Sequence, residues 1–186
     1  MTSFCTFSGW GTLVDIAPCR WNLGTQSSTK NDQLIILRTK HGPITIRVKS
    51  QSLKSIATSL PLGVDVWADG IVQQLPNRKA RRLSTVLTAH SLQWHKGKPP
   101  KAITFDISGI VTDRSIDTNR RGENFMRRVV ATNHGEIVCY FHRHKRSGWL
   151  IKVGQQVHLT GSVHTSRWIR ATTPRLMQFF HVEQVH

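Results

Sequence analysis

Trp168 sits in the stretch HTSRWIRATTPR, with Arg167 before it and Arg170 and Arg175 after it. A flat indole beside guanidinium groups can stack on a nucleobase while its neighbours neutralise phosphate. A second basic stretch, PNRKARR, carries Arg78, Lys79, Arg81 and Arg82. Flat and cationic side chains also recur at the polar positions of alternating segments. These are Arg47 and Lys49 in PITIRVK, Trp67 in VDVWADG, Tyr140 and His142 in EIVCYFH, and His158 in QVHLTG. Arg143, Lys145 and Arg146 follow His142 directly, and Arg127 and Arg128 lie in a further basic segment. Trp67 has two readings, stacking on a base or packing against another domain or subunit. Trp10, Trp94 and Trp149 lie near segment ends and are expected in a core or an interface.

Residue types that make or break bonds are poorly represented. The ten acids form no pair suited to general acid–base work, and neither a phosphate-cradling glycine loop nor a nucleophile elbow occurs. His142 and His144 lie near Cys139, but zinc spacing is missing and neighbours on a strand point to opposite faces. Neither an enzyme nor a metal or other cofactor is expected. The chain of 186 residues carries 26 Lys and Arg against 10 Asp and Glu, a net charge of +16, and both halves are basic. Such a chain is expected to meet a polyanion, nucleic acid before an acidic membrane. Three cysteines in no paired spacing fit a reducing cytosol, and the N-terminus lacks the pattern of a secretion signal. The expected location is the cytoplasm, with no membrane partner.

The segments that position these residues occur twice. His41-Gly42 answers His134-Gly135 at an offset of 93, and Gly63, Val66, Gly70 and Val72 answer Gly154, Val157, Gly161 and Val163 at 91. His90 and Gln93 match His181 and Gln184 at the same offset, while GTLVD at Gly11 answers GIVTD at Gly109 at 98. Offsets that change only in the gaps imply two copies of one domain with different loop lengths. Period-two alternation predicts strands near 7–16, 34–40, 43–49, 64–72 and 83–93, and again near 103–112, 125–132, 136–142, 155–164 and 175–185. A short helix fits only QSLKSIATSL and RHKRSGWLI. Three strands, a helix and two more strands is the order of an OB-fold, a five-stranded Greek-key barrel. The expected fold is all-β, with one barrel over 1–94, a linker over 95–101 and a second barrel over 102–186. The basic stretches after Leu75 and Val163 are expected to be the loops between the fourth and fifth strands.

The second copy, DISGIVTD…GENFMRRVV…VGQQVHLTGSV…LMQFFHVEQV, resembles the bacterial single-stranded-DNA-binding protein family and its primosomal PriB relatives. The first resembles it more loosely, through GWGTLVD, LPLGVDVWADGIV and VLTAHSLQW. The resemblance implies binding of single-stranded DNA without sequence preference, in replication, restart or recombination. RNA binding is the first alternative. The second is a basic accessory subunit that docks a replication, recombination or transposition enzyme. Family members that recruit other enzymes carry an acidic tail, whereas FFHVEQVH ends this sequence directly after its last strand, the PriB-like condition. Relatives with one barrel per chain oligomerise, so two fused barrels imply either a homodimer or a stand-alone pseudo-dimer.

Overall fold

The computed structural model describes residues 3–18, 32–77, 82–97, 100–118, 122–142, 146–168 and 175–186. Alternation of apolar and polar side chains sets the strands, as β8 illustrates: Ile137, Cys139 and Phe141 are buried while Val138, Tyr140 and His142 are not. The first five strands are β1 (Phe4–Pro18), β2 (Gln33–Thr39), β3 (Gly42–Val48), β4 (Asp65–Asn77) and β5 (Arg82–Trp94). The other five are β6 (Ile103–Thr118), β7 (Asn124–Thr132), β8 (Gly135–His142), β9 (Gln156–Trp168) and β10 (Arg175–Val185). Helix α1 (Gln51–Ser59) separates β3 from β4, and α2 (Arg146–Leu150) separates β8 from β9. Ser50 caps α1 by accepting a hydrogen bond from the Leu53 amide at 3.2 Å, and the helix buries Leu53 and Ala57.

Each set of five strands closes on itself. In the first, β1 pairs antiparallel with β2 and β4, β2 with β3, and β4 with β5, while β3 and β5 run parallel. In the second, β6 pairs antiparallel with β7 and β9, β7 with β8, and β9 with β10, while β8 and β10 run parallel. Both rings have the strand order of an OB-fold. Ile35, Ile44, Ile46 and Val66 lie within the first core, and Ile137, Phe141, Leu159 and Phe180 within the second.

The two barrels repeat each other in detail. Thr39 Oγ1 donates to the Gly42 carbonyl and accepts from the His41 amide, at 2.9 and 3.1 Å. Thr132 does the same with Gly135 and His134, at 2.8 and 3.1 Å. Gly42 and Gly135 close these turns at φ of 101° and 107°, where a side chain would be strained. Bulges leave one extra residue, His90 on β5 and Glu183 on β10, opposite the Asp69–Gly70 and Thr160–Gly161 steps, each beside a glycine pressed against the neighbouring strand. A Cβ on Gly70 would lie 2.1 Å from the Thr88 carbonyl oxygen, and one on Gly161 would lie 2.0 Å from that of His181.

Two sequence expectations need correction. Gly70 pairs with Ala89 and Gly161 with Val182, so the offset along the fifth strand is 93. His90 therefore corresponds to Glu183 and Gln93 to His186, not to His181 and Gln184. The shift from 91 to 93 arises because Asn77 pairs with Arg82 across the first hairpin tip, but Trp168 with Arg175 across the second. Those pairings also place Arg82, Arg167, Trp168 and Arg175 on strands rather than in loops.

The described residues divide into two compact units. One compact unit is Thr6–Ile103; the other joins the residues up to Cys5 to Thr104–His186. Two residues of the expected linker, His95 and Lys101, make contacts within the first of these units. The His95 amide donates to the Asp65 carbonyl at 2.9 Å, and the His95 ring lies 4.9 Å from Trp10 and 5.6 Å from Trp67. Lys101 Nζ reaches Asp65 Oδ1 at 2.5 Å and Thr12 Oγ1 at 2.7 Å. Ser3 instead serves the second barrel, where its hydroxyl donates to the Ser108 carbonyl and accepts from the Asn133 amide.

Candidate nucleic-acid interface

Strand register brings six flat side chains onto one outer face of the second barrel. Phe125 on β7 stands opposite His142 on β8, with ring centroids 6.0 Å apart. Tyr140 on β8 stands beside His181 on β10, and His142 and His181 rings lie 6.3 Å apart. Phe179 lies 6.0 Å from Tyr140 and 5.4 Å from His164 on β9, and His164 lies 5.1 Å from His181. The face thus crosses four adjacent strands, roughly 14 Å at ordinary strand spacing. Its rings are half-buried or, for His142, exposed, so their edges pack together while surface remains for a ligand.

Burial, followed by the Asp117 charge, pushes the pKa of Tyr140 above the ordinary tyrosine value, keeping it neutral. Arg127 Nη1 is held by Asp113 Oδ2 at 2.8 Å and by Ser115 at 3.3 Å. His164 Nε2 contacts Ser162 Oγ at 2.9 Å, whose hydroxyl donates to Glu183 Oε1 at 2.5 Å. A ring whose orientation is fixed before a base arrives loses less entropy on stacking.

Tyr140 and His142 were legible in the sequence; Phe125, His164, Phe179 and His181 were missed. The signal for Phe179 and His181 was alternation in QFFHV, where Phe180 and Val182 point inward and leave their neighbours outside. His158 stands apart from this face, six residues along β9 from His164. It pairs with Asp106 Oδ1 at 2.6 Å, and its ring meets Phe4 at 5.5 Å and His186 at 4.8 Å.

In the first barrel Arg47 corrects the expectation. It is not on a solvent-facing strip but 4% exposed, donating through Nε to Asp32 Oδ2 at 2.8 Å and through Nη2 to the same oxygen. A guanidinium so paired is not available to phosphate. Arg128 is likewise 4% exposed, with Nη2 donating to the Gly148 carbonyl at 2.6 Å. Lys49 is exposed just past the end of β3, as expected. Trp67 is half-buried against His95, which gives its ring a partner within its own barrel. Trp10 is a core residue, but Trp94 and Trp149 are 66% and 52% exposed and belong to no core. Arg78, Lys79, Arg81, Arg143, Lys145 and Arg170 lie outside the described residues, as do the side chains of Arg82, Arg146, Arg167, Trp168 and Arg175.

Two solved structures of the single-stranded DNA binding protein from Thermus aquaticus, the wild type and a deletion mutant, are similar to this chain. Each superposes with a TM-score of 0.67 at 12% identity, covering 100% of this chain and 93% or 94% of the other. At that identity the likeness establishes the OB-type architecture. No family model matches the sequence, and no curated protein does.

Proposed function

We propose that this protein binds single-stranded nucleic acid, DNA in the first instance, with little sequence preference and without catalysing a reaction on it. The observation that carries this reading is the face of six flat side chains across β7, β8, β10 and β9. Every base has a π-face, so a row of rings accepts any sequence, and each stacked base is worth roughly 1–3 kcal/mol. Duplex DNA keeps its bases stacked on one another and has none to offer.

Charge supports the same reading. The chain carries +16, and the face runs directly into basic sequence, with Arg143 to Arg146 after His142 and Arg175 shortly before Phe179. In this proposal Lys49, Arg78, Lys79, Arg81, Arg82, Arg167, Arg170 and Arg175 neutralise phosphate, and Trp168 adds a further ring. The likeness to a single-stranded DNA binding protein, although one of fold, agrees with it. A place in replication, restart or recombination, as in PriB-like proteins, belongs to the same proposal.

Fluorescence anisotropy with a labelled oligo(dT), competed by duplex of equal length and by oligo(rU), tests it. Oligo(dT) should compete far better than duplex, and affinity should fall as salt rises, with a log–log slope of about −0.7 per neutralised phosphate. A preference for duplex would refute single-strand binding, and a preference for oligo(rU) would move the proposal to RNA.

A further inference from the structure

Resting on the proposed single-strand binding, we infer that this six-ring stacking face is confined to the second barrel, the equivalent described positions of the first carrying no ring. The register of the two barrels identifies, for each ring of the face, the residue that takes its place in the first. Arg47 replaces Tyr140, because Arg47 pairs with Thr88 as Tyr140 pairs with His181. Thr88 therefore replaces His181, and Val86 replaces Phe179. Gln73 replaces His164, since Gln73 pairs with Val86 as His164 pairs with Phe179. Asp32, directly before Gln33, replaces Phe125, and Lys49, directly after Val48, replaces His142.

None of the six is aromatic, and the replacements bond to one another. The Arg47–Asp32 ion pair is closed from solvent, Gln73 Nε2 donates to Thr88 Oγ1 at 2.7 Å, and Val86 is 1% exposed. A base arriving here meets an already paired guanidinium and an internally bonded amide. Neither has a free flat surface, and separating the ion pair to make one would strand a buried charge. Lys49 keeps its charge and stays exposed, so this side of the first barrel can follow phosphate without holding bases. The two barrels differ in chemistry at equivalent positions despite sharing one topology, which divides the work between them.

The test uses the whole chain and an oligo(dT) of about 8 nucleotides, within the span of one OB barrel. Titrated at protein concentrations well above Kd, it should saturate at one oligonucleotide per chain. Tyr140→Ala and Phe179→Ala should each weaken binding, by roughly 5- to 150-fold for one lost stack. The counterparts Arg47, Val86 and Thr88 are buried, so the first barrel is probed instead by Gln73→Ala, at a half-buried position, which should change affinity less than about 2-fold. His142→Ala, at an exposed position, reports on the face should the Tyr140 variant fail to fold. Saturation at two per chain, or a loss in the Gln73 variant matching that on the face, would overturn the division while leaving single-strand binding intact. No oligo(dT) binding by the unaltered chain would remove both.

Discussion

Arg47 and Asp32 form an ion pair that water scarcely reaches, which makes it fragile to single changes. Asp32→Ala would leave a guanidinium buried without its counter-charge and should cost about 3–5 kcal/mol. The joint change Arg47→Met with Asp32→Leu should recover most of that, as read from urea midpoints; equal losses in both variants would contradict the account. Cys139 offers a second check. Complete burial pushes its thiol up to about 12, from 9.0, so it stays protonated at neutral pH. Its folded value lies above its unfolded one, so its contribution to stability is whole below pH 9 and is lost as pH rises toward 12. Iodoacetamide at pH 8 should therefore spare Cys139 in the native protein and modify it in urea, as read by peptide mass; rapid native modification would contradict its burial.

Strands were the most legible part of this sequence, because period-two alternation in segments such as PITIRVK and EIVCYFH states both the element and its buried side. The hairpin arms β4–β5 and β9–β10 run beyond the alternating stretches, so their basic ends read as loops. Residue spacing alone could not reveal the difference in length at the two hairpin tips, and His181 was aligned with His90 as a result. The stacking face was half-legible for a related reason. Alternation within one strand says which residues point outward, but only pairing between strands shows that Phe125, Tyr140, Phe179 and His164 meet. Gly161 links that face to the backbone, since a Cβ there would meet the His181 carbonyl oxygen at 2.0 Å. Gly161→Ala should cost roughly 1–3 kcal/mol in thermal or urea unfolding and weaken oligo(dT) binding along with it. An unaltered Tm would show that the bulge is not tightly fitted.

Charge and duplication governed what could be inferred about the chain as a whole, and both pointed to a polyanion held by two barrels. WHKGKPPK has the composition of a linker, yet composition does not show that His95 and Lys101 within it hold to the first barrel by hydrogen bonds and ring contacts. Asp65 records this in its titration. Burial raises its pKa, but hydrogen bonds from Lys101 and Thr12 outweigh that and hold it below the ordinary carboxylate value. Its contribution is therefore present above about pH 4, near the unperturbed value, and is lost as pH falls through the depressed pKa. Lys101→Met should reduce stability at neutral pH and flatten the acid limb of the unfolding profile; an unchanged profile would detach this segment from the barrel. The claim on which the functional reading depends is that rings on the second barrel hold bases while cations elsewhere hold phosphates. Oligo(dT) affinity measured across a salt series for the unaltered chain, Phe179→Ala and Tyr140→Phe separates the two contributions. The account predicts that Phe179→Ala binds roughly 5- to 150-fold more weakly along a parallel log–log line, while Tyr140→Phe, which keeps its ring, binds nearly as the unaltered chain does. Undiminished affinity in a folded Phe179→Ala protein, or a line of shallower slope, would contradict it.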